Sequence, residues 1–135
     1  IEYETWENVM RINVMAPLRM CEAFVNHVAN SKLKKIAIMS SKMGSMDDNN
    51  SGGSYVYRSS KAALNAVMKS LSIDLAPNGI SVAILHPGWV RTDMGGPSGL
   101  INASESVSGL RKVIDSLNPE NSGRFYNYDG SEINW

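Results

Sequence analysis

The segment SGGSYVYRSSKAALNAVMKSLSIDLAPNG, residues 51–79, runs directly into ISVAILHPG, residues 80–88, and together they predict a helix followed by a strand. In the first segment, apolar residues recur at helical spacing from Tyr57 to Leu75, and Pro77-Asn78-Gly79 provides a stop signal. In the second, a short apolar run is typical of a strand that is covered on both faces. The pair indicates an α/β fold with a parallel sheet.

The rest of the chain extends this alternation of helices and strands. A helical pattern runs from Thr5, a candidate N-cap, to about residue 29, and LKKIAIMSS (residues 33–41) follows as a buried strand. Near the end, SESVSGLRKVIDSLN (residues 104–118) predicts a helix capped by Ser104, and GRFYNYDG (residues 123–130) predicts a short strand and a turn. We therefore expect one domain over residues 1–135, with three parallel strands joined by helices.

A proline interrupts the first helix. Pro17 has no N–H to donate to the carbonyl of Asn13, four residues earlier, so the helix is expected to bend there. The carbonyl of Asn13 is thereby released from the usual helical ladder.

Composition excludes several classes of function. The chain has 13 basic and 13 acidic residues, which argues against a nucleic-acid partner, and no apolar run approaches the roughly 18 residues that a membrane span needs. The single cysteine, Cys21, cannot form an internal disulfide, and eight methionines suit a reducing compartment, so we predict a cytoplasmic protein. The chain starts at Ile1 without a methionine or a leader, which suggests the middle of a longer gene product.

Polar side chains cluster where the predicted strands end. Ser40 and Ser41 follow the first strand, and Thr92 follows the second in a glycine-rich loop. Tyr57 and Lys61 lie four apart, on one helix face, where an ammonium group can favour the ionised form of a phenol. Because the carboxyl ends of parallel strands border a ligand crevice, we expect Ser41, Tyr57 and Lys61 to converge into a proton-transfer site.

Other familiar signals are absent or weak. There is no phosphate-binding glycine motif and no paired cysteines, so no metal ligands are assigned. His86 stands before Pro87-Gly88 and is interpreted as a strand-end residue rather than the base of a hydrolase. Asp47 and Asp48 are interpreted as a solvated turn.

Four stretches, in order, resemble the short-chain dehydrogenase/reductase family: RINVMAP (11–17), IAIMSSKMGS (36–45), YRSSKAALN (57–65) and LHPGWVRTDM (85–94). They span nearly the whole chain and are most similar to the carbonyl-reductase-like branch that includes bacterial C-factor and the sniffer reductases. The resemblance implies the carboxyl-terminal part of a doubly wound, Rossmann-like parallel sheet, namely its last three strands and flanking helices.

The resemblance also implies a role for each polar residue. Tyr57 would be the acid/base, and Lys61 would favour its ionised form and bind the nicotinamide ribose. Ser41, with Ser40 as its rival, would hold the substrate carbonyl. Asn13 would complete a catalytic tetrad through its main-chain carbonyl and a water leading to Lys61.

The cofactor and substrate follow from the same resemblance. Pro87, Gly88, Val90 and Thr92 are similar to nicotinamide contacts, and residues 95–99 to the start of a substrate loop. The cofactor would be NADP or NAD, and the substrate a small carbonyl or alcohol compound in a partly apolar pocket bordered by Trp89 and Met94. The resemblance is compatible with a homodimer through the helices that carry Asn13 and Tyr57 and with a monomer, so both states stay open.

The resemblance does not include the family's glycine-rich TGxxxGxG turn, its cofactor-choosing residue or its NNAG strand, which are not among these residues. We therefore expect residues 1–135 alone to show at most trace turnover. Without that neighbouring strand, IAIMSS (residues 36–41) would have an exposed hydrophobic edge that promotes association.

The leading functional reading is an NAD(P)-dependent oxidoreductase that moves a hydride between nicotinamide and a carbonyl or alcohol. One alternative is a nucleotide-binding signalling or scaffold protein of the C-factor type, without essential turnover. Another is a sugar-nucleotide epimerase or dehydratase, although the residues after GWVRTDMGG (88–96) leave little room for a substrate domain.

Overall fold

The computed structural model describes residues 1–135, in which helices and strands alternate along the chain and are joined by turns and loops. The four α-helices are α1 (Tyr3–Met10), α2 (Ala16–Ala29), α3 (Tyr55–Leu75) and α4 (Ala103–Ser116). The three strands are β1 (Lys35–Met39), β2 (Ser81–His86) and β3 (Arg124–Asn127). A π-helical turn (Arg11–Met15) joins α1 to α2, and 3-10 turns cover Lys42–Gly44 and Ala76–Asn78.

The sheet has the order β1-β2-β3, and both strand pairs are parallel. Ile36 of β1 is opposite Val82, and Ile84 of β2 is opposite Phe125 of β3. The central strand β2 is buried from Ser81 to Leu85, as expected for a strand covered on both faces. The predicted α/β fold, with the last three strands of a Rossmann-like sheet, is confirmed.

The alternating side chains of β2 join two hydrophobic clusters, one on each face of the sheet. On one face, Ile84 packs with Leu64 and Met68 of α3 and with Val14, Cys21 and Phe125. On the other face, Ala83 and Leu85 of β2 pack against Leu110 and Val113 of α4 and against Leu117, the residue directly after α4. Because successive side chains of a strand point to opposite faces, β2 packs against α3 on one face of the sheet and against α4 on the other.

The first helical segment is longer at its start than the sequence predicts and contains a wider turn. It begins at Tyr3 with Glu2 as N-cap, so the prediction that Thr5 caps it is wrong. In the π-helical turn, the N–H of Ala16 donates to the carbonyl of Arg11, five residues back. The irregularity lies just before Pro17, where a missing N–H already interrupts the α-helical ladder.

Two helix starts also differ from the predictions. Helix α3 begins at Tyr55, two residues before the predicted start, and Ser54 before it has a φ of +49°. Helix α4 is capped by Asn102, whose Oδ1 accepts a hydrogen bond from the N–H of Glu105 at 2.8 Å, so the Ser104 prediction is wrong. Asparagine is a strong N-cap because its short side chain reaches the free N–H groups of the first turn.

None of the helices combines the length and the hydrophobicity that a membrane crossing requires.

Candidate active site

A cavity of about 780 Å³ opens at the carboxyl ends of β1 and β2. Its size lies within the usual range of small-molecule sites. Six of the residues predicted from sequence line it: Ser41, Tyr57, Pro87, Gly88, Val90 and Thr92. The structure thus brings the predicted serine, tyrosine and Pro-Gly turn to one crevice, whereas Asn13 and Lys61 are not part of its lining.

Tyr57 and Lys61 lie together on the first turns of α3. The Nζ atom of Lys61 is 5.7 Å from the centroid of the Tyr57 ring, close enough for its charge to act on the phenol. Burial lowers the pKa of Lys61 from its ordinary value. No carboxylate forms an ion pair with this ammonium group, since the two ion pairs of the chain are Lys42–Asp48 and Arg124–Glu132. Lys61 is therefore free to interact with uncharged hydroxyl groups and with the phenol.

The two serines after β1 have different surroundings. Ser40 is buried, and its hydroxyl donates to Oδ1 of the buried Asn65 at 2.6 Å. Ser41 caps the following 3-10 turn, because its Oγ accepts a hydrogen bond from the N–H of Met43 at 3.2 Å. That bond leaves the hydroxyl hydrogen of Ser41 available to a ligand, while the hydrogen of Ser40 is already used.

Asn13 reaches α3 rather than the cavity. Its Nδ2 donates to Oγ of Ser60 at 3.1 Å, and the Ser60 hydroxyl donates to the carbonyl of Tyr57 at 2.8 Å. Asn13 and Tyr57 also border a second, smaller cavity of about 340 Å³. The Asn13 side chain thus connects the π-helical turn to the helix segment that carries Tyr57.

A glycine allows the 3-10 turn after Ser41 to lie against α3. A Cβ atom on Gly44 would come within 2.8 Å of the carbonyl carbon and 2.9 Å of the Cβ of Lys61. Such distances are shorter than side-chain carbons normally allow, so any larger residue would displace Lys61. The role of Gly44 was missed from sequence, where SKMGS (residues 41–45) shows only loop chemistry.

The loop after β2 is held in shape by its own hydrogen bonds. The indole Nε1 of Trp89 donates to the carbonyl of Gly95 at 2.7 Å, and the N–H of Gly95 donates to Oγ1 of Thr92 at 3.1 Å. Gly88 has a φ of +85°, and a Cβ there would lie 2.7 Å from Cδ1 of Ile101. The Pro87-Gly88 turn therefore depends on glycine for its conformation and for its close packing.

His86 also lines the cavity, at the last position of β2. Its Nδ1 accepts a hydrogen bond from the backbone N–H of Lys42 at 3.0 Å. Burial and the nearby Lys42 charge lower the pKa of His86 from 6.5 to about 4, against a smaller opposing effect of Asp48. The imidazole is therefore neutral at pH 7, with its proton on Nε2.

The charged residues of the cavity wall form one ion pair. Lys42 Nζ lies 3.4 Å from Oδ1 of Asp48, and no other charged side chain lines the cavity. Asp48 was interpreted from sequence as part of a solvated turn, and it is indeed exposed, but it also belongs to the rim of the site. The wall consequently carries no net charge.

In a Rossmann-like sheet, a crevice at the carboxyl ends of the strands is the usual binding place of a nucleotide or another ligand. The family profile described as short chain dehydrogenase matches residues 1–100. The chain therefore belongs to the short-chain dehydrogenase family.

Individual relatives agree with this assignment. The chain is 46% identical to C-signal of Myxococcus xanthus, over all of the chain and 81% of that protein. It matches carbonyl reductase Sniffer of D. melanogaster with a TM-score of 0.94 and 36% identity, over the whole chain and 59% of Sniffer. It also matches the NADPH-bound carbonyl reductase from chicken fatty liver, with a TM-score of 0.93, 33% identity and the same two coverages. The chain thus spans about three fifths of each reductase.

Proposed function

We propose that the protein is an NAD(P)-dependent oxidoreductase that interconverts a small carbonyl compound and its alcohol, with Tyr57 as the acid/base. One observation carries the proposal. Tyr57 lines the cavity at the strand ends together with Ser41, and the unpaired ammonium group of Lys61 lies 5.7 Å from the Tyr57 ring. A phenol beside a cation in a ligand-sized crevice is suited to exchanging a proton with a bound oxygen atom.

In carbonyl reduction, Tyr57 and Ser41 would have different roles. When bound, the nicotinamide supplies the hydride that reaches the carbonyl carbon. Tyr57 Oη donates its proton to the carbonyl oxygen, which becomes the alcohol hydroxyl, and alcohol oxidation reverses each transfer. The Ser41 hydroxyl donates a hydrogen bond to the same oxygen and stabilises the negative charge that develops there.

The donors around the cavity suit a nicotinamide nucleoside. Lys61 presents an ammonium group without a carboxylate partner, which can bind the ribose hydroxyls. Pro87, Gly88, Val90 and Thr92 border the cavity, and their backbone groups and the Thr92 side-chain hydroxyl would bind the carboxamide.

Asn13 serves as a positioning residue in this proposal. Its carbonyl receives no N–H from Pro17 and can accept a hydrogen bond from a water that also contacts Lys61. Its side chain holds Ser60, which in turn donates to the Tyr57 carbonyl.

The test compares Tyr57→Phe with the wild type in protein expressed from the complete gene. Absorbance of the reduced nicotinamide at a fixed concentration of an aromatic ketone measures turnover. Removing the proton donor is expected to lower kcat by about 10² to 10⁴-fold. Cofactor binding, measured by fluorescence titration, should change little because the ring remains.

Tyr3 is exposed and does not line the cavity, so Tyr3→Phe is the matched control and should keep wild-type turnover. Turnover that survives in Tyr57→Phe would contradict the proposed acid/base role.

A second candidate function is signalling or scaffolding without essential turnover. The observation that favours it is the 46% identity to a protein named C-signal, of which the chain covers a larger share than of either reductase. The same Tyr57→Phe variant separates the two candidates, because a scaffold would keep its biological activity in that variant.

A further inference from the structure

His86 offers the cavity a hydrogen-bond donor that the proposed proton transfer does not use. Its Nδ1 is occupied by the N–H of Lys42. Its Nε2 forms no hydrogen bond within the chain. This nitrogen is not enclosed, because the only enclosed side-chain nitrogens without a hydrogen-bond partner are those of Arg58 and Asn65. The Nε2 atom therefore opens into the cavity that His86 lines.

The imidazole is adjacent to the group that would hold the reacting carbonyl. The N–H that orients His86 belongs to Lys42, the residue directly after Ser41. The side chains of Ser41 and His86 thus come from the ends of neighbouring parallel strands, β1 and β2. A ligand oxygen bound to Nε2 would lie beside the oxygen bound to Ser41.

The surroundings of His86 favour a neutral ligand group. Lys42 and Asp48 are the charged residues that face the imidazole, they pair with each other, and Tyr57 is the other titratable residue of the wall. Apolar side chains supply much of the remaining wall, among them Met39, Met43, Trp89 and Met94. A carboxylate would find no unpaired cation in this lining, whereas a second carbonyl oxygen needs only one donor.

We propose that His86 is a substrate-specificity residue whose Nε2–H binds a second carbonyl oxygen, so that the enzyme prefers dicarbonyl compounds over simple ketones. This inference rests on the proposed oxidoreductase function. It adds a recognition contact to the cavity and requires no further chemical step.

The kinetic test uses two variants of His86. One is designed to keep the acceptor function of Nδ1, and the other is designed to keep the donor function of Nε2. In His86→Asn, the amide can still accept from Lys42 but has no donor at the Nε2 position. In His86→Gln, the amide can place an N–H near that position. The substrates are 1-phenyl-1,2-propanedione and propiophenone, which share the aromatic ring and differ by one carbonyl oxygen.

We expect His86→Asn to lower kcat/KM for the dione about tenfold more than for the monoketone, mainly through KM, which corresponds to about one hydrogen bond. His86→Gln should restore part of the difference. Equal changes with both substrates, or no change with either, would overturn the role of His86. Comparing ratios removes the intrinsic difference in reactivity between the two compounds.

A second measurement distinguishes failure of this inference from failure of the proposed activity. In ¹⁵N-labelled protein, with the His86 signals assigned by their loss in His86→Asn, the proton should reside on Nε2 at pH 7. Addition of the dione should shift the Nε2 resonance, and propiophenone should shift it much less. A proton on Nδ1, or no response at saturating dione, contradicts the inference; a response without turnover contradicts only the proposed activity.

Discussion

Asn13 Nδ2 and Ser60 Oγ are joined by a hydrogen bond of 3.1 Å that links the π-helical turn to the first turns of α3. Ser60 is fully buried, and its hydroxyl donates a hydrogen bond to the backbone carbonyl of Tyr57. The position of the tyrosine along its helix thus depends on a residue that does not line the cavity.

Replacement of Asn13 by alanine is expected to lower both stability and turnover. The lost hydrogen bond should reduce the free energy of unfolding by about 1 kcal/mol, measured by urea denaturation. Because the helix segment that carries Tyr57 would be held less firmly beside Lys61, kcat should fall and the pH profile of kcat should change. Asn26→Ala, an exposed change on α2, is the matched control; equal effects of the two variants would exclude a positioning role.

The two serines after β1 should respond in opposite ways to alanine substitution. Ser41→Ala removes the free hydroxyl at the cavity and should lower kcat about tenfold or more, while the lost bond to the Met43 N–H should cost only about 1 kcal/mol of stability. Ser40→Ala leaves Oδ1 of the buried Asn65 without its donor and should cost about 1 to 3 kcal/mol of stability. Calorimetry and steady-state kinetics on both variants test this, and an inactive but stable Ser40→Ala would reverse the assignment.

His86 should make the protein less stable in mild acid. The pKa of the folded imidazole, about 4, lies below its ordinary value of 6.5, so the unfolded chain binds the proton first as the pH falls. Stability from this group is therefore intact above about pH 6.5 and is lost between there and pH 4. A shift of this size corresponds to roughly 3 kcal/mol in full, and solvent screening of a partly exposed ring reduces it to about 1 to 2 kcal/mol.

Urea denaturation at pH 7 and pH 4 checks this dependence. His86→Asn lacks the titrating group and should lose less stability than the wild type over the same interval. Parallel losses in the two proteins would show that other groups dominate the acid response.

The 135-residue chain by itself is expected to associate through β1, which has β2 on one side and no strand on the other. Ala37→Lys places a charge on an exposed position of that edge strand and should reduce association. Leu33→Lys, exposed but outside the strand, is the control. Light scattering of the three proteins makes the comparison, and a stable wild-type monomer would contradict the expectation.

The three strands and their parallel pairing could be predicted from sequence because short apolar runs that alternate with helical segments are typical of the buried strands of an α/β fold. Helix starts were less accurate: Asn102 competes with Ser104 as a cap, and the chain before Tyr55 is fixed by residues with positive φ values. Such choices depend on tertiary packing, which local patterns do not contain.

Within the site, the sequence identified which residue types meet but not which atoms remain free. Ser40 and Ser41 both follow β1, and the family motif favoured Ser41. The structure adds that the Ser40 hydroxyl is already bonded to Asn65, whereas Ser41 accepts from the N–H of Met43. His86 was interpreted as a strand-end residue, which it is, but its orientation by the N–H of Lys42 depends on a pairing 44 residues apart in the chain. The position of a polar residue at a strand end, directly before Pro87-Gly88, is the signal that could have placed His86 at the cavity.

The π-helical turn at Arg11–Met15 also limits how the chain can change in length. A π-helical turn holds one residue more than an α-helical turn, so deleting one residue within it can restore the regular ladder without rotating α1 relative to α2. An insertion or deletion in the regular helix on either side would instead rotate the residues beyond it by about 100°. Such a rotation would separate Asn13 from Ser60 or move Cys21 out of the core. A change in length is therefore expected at the π-helical turn, and the flanking helices are expected to vary by substitution.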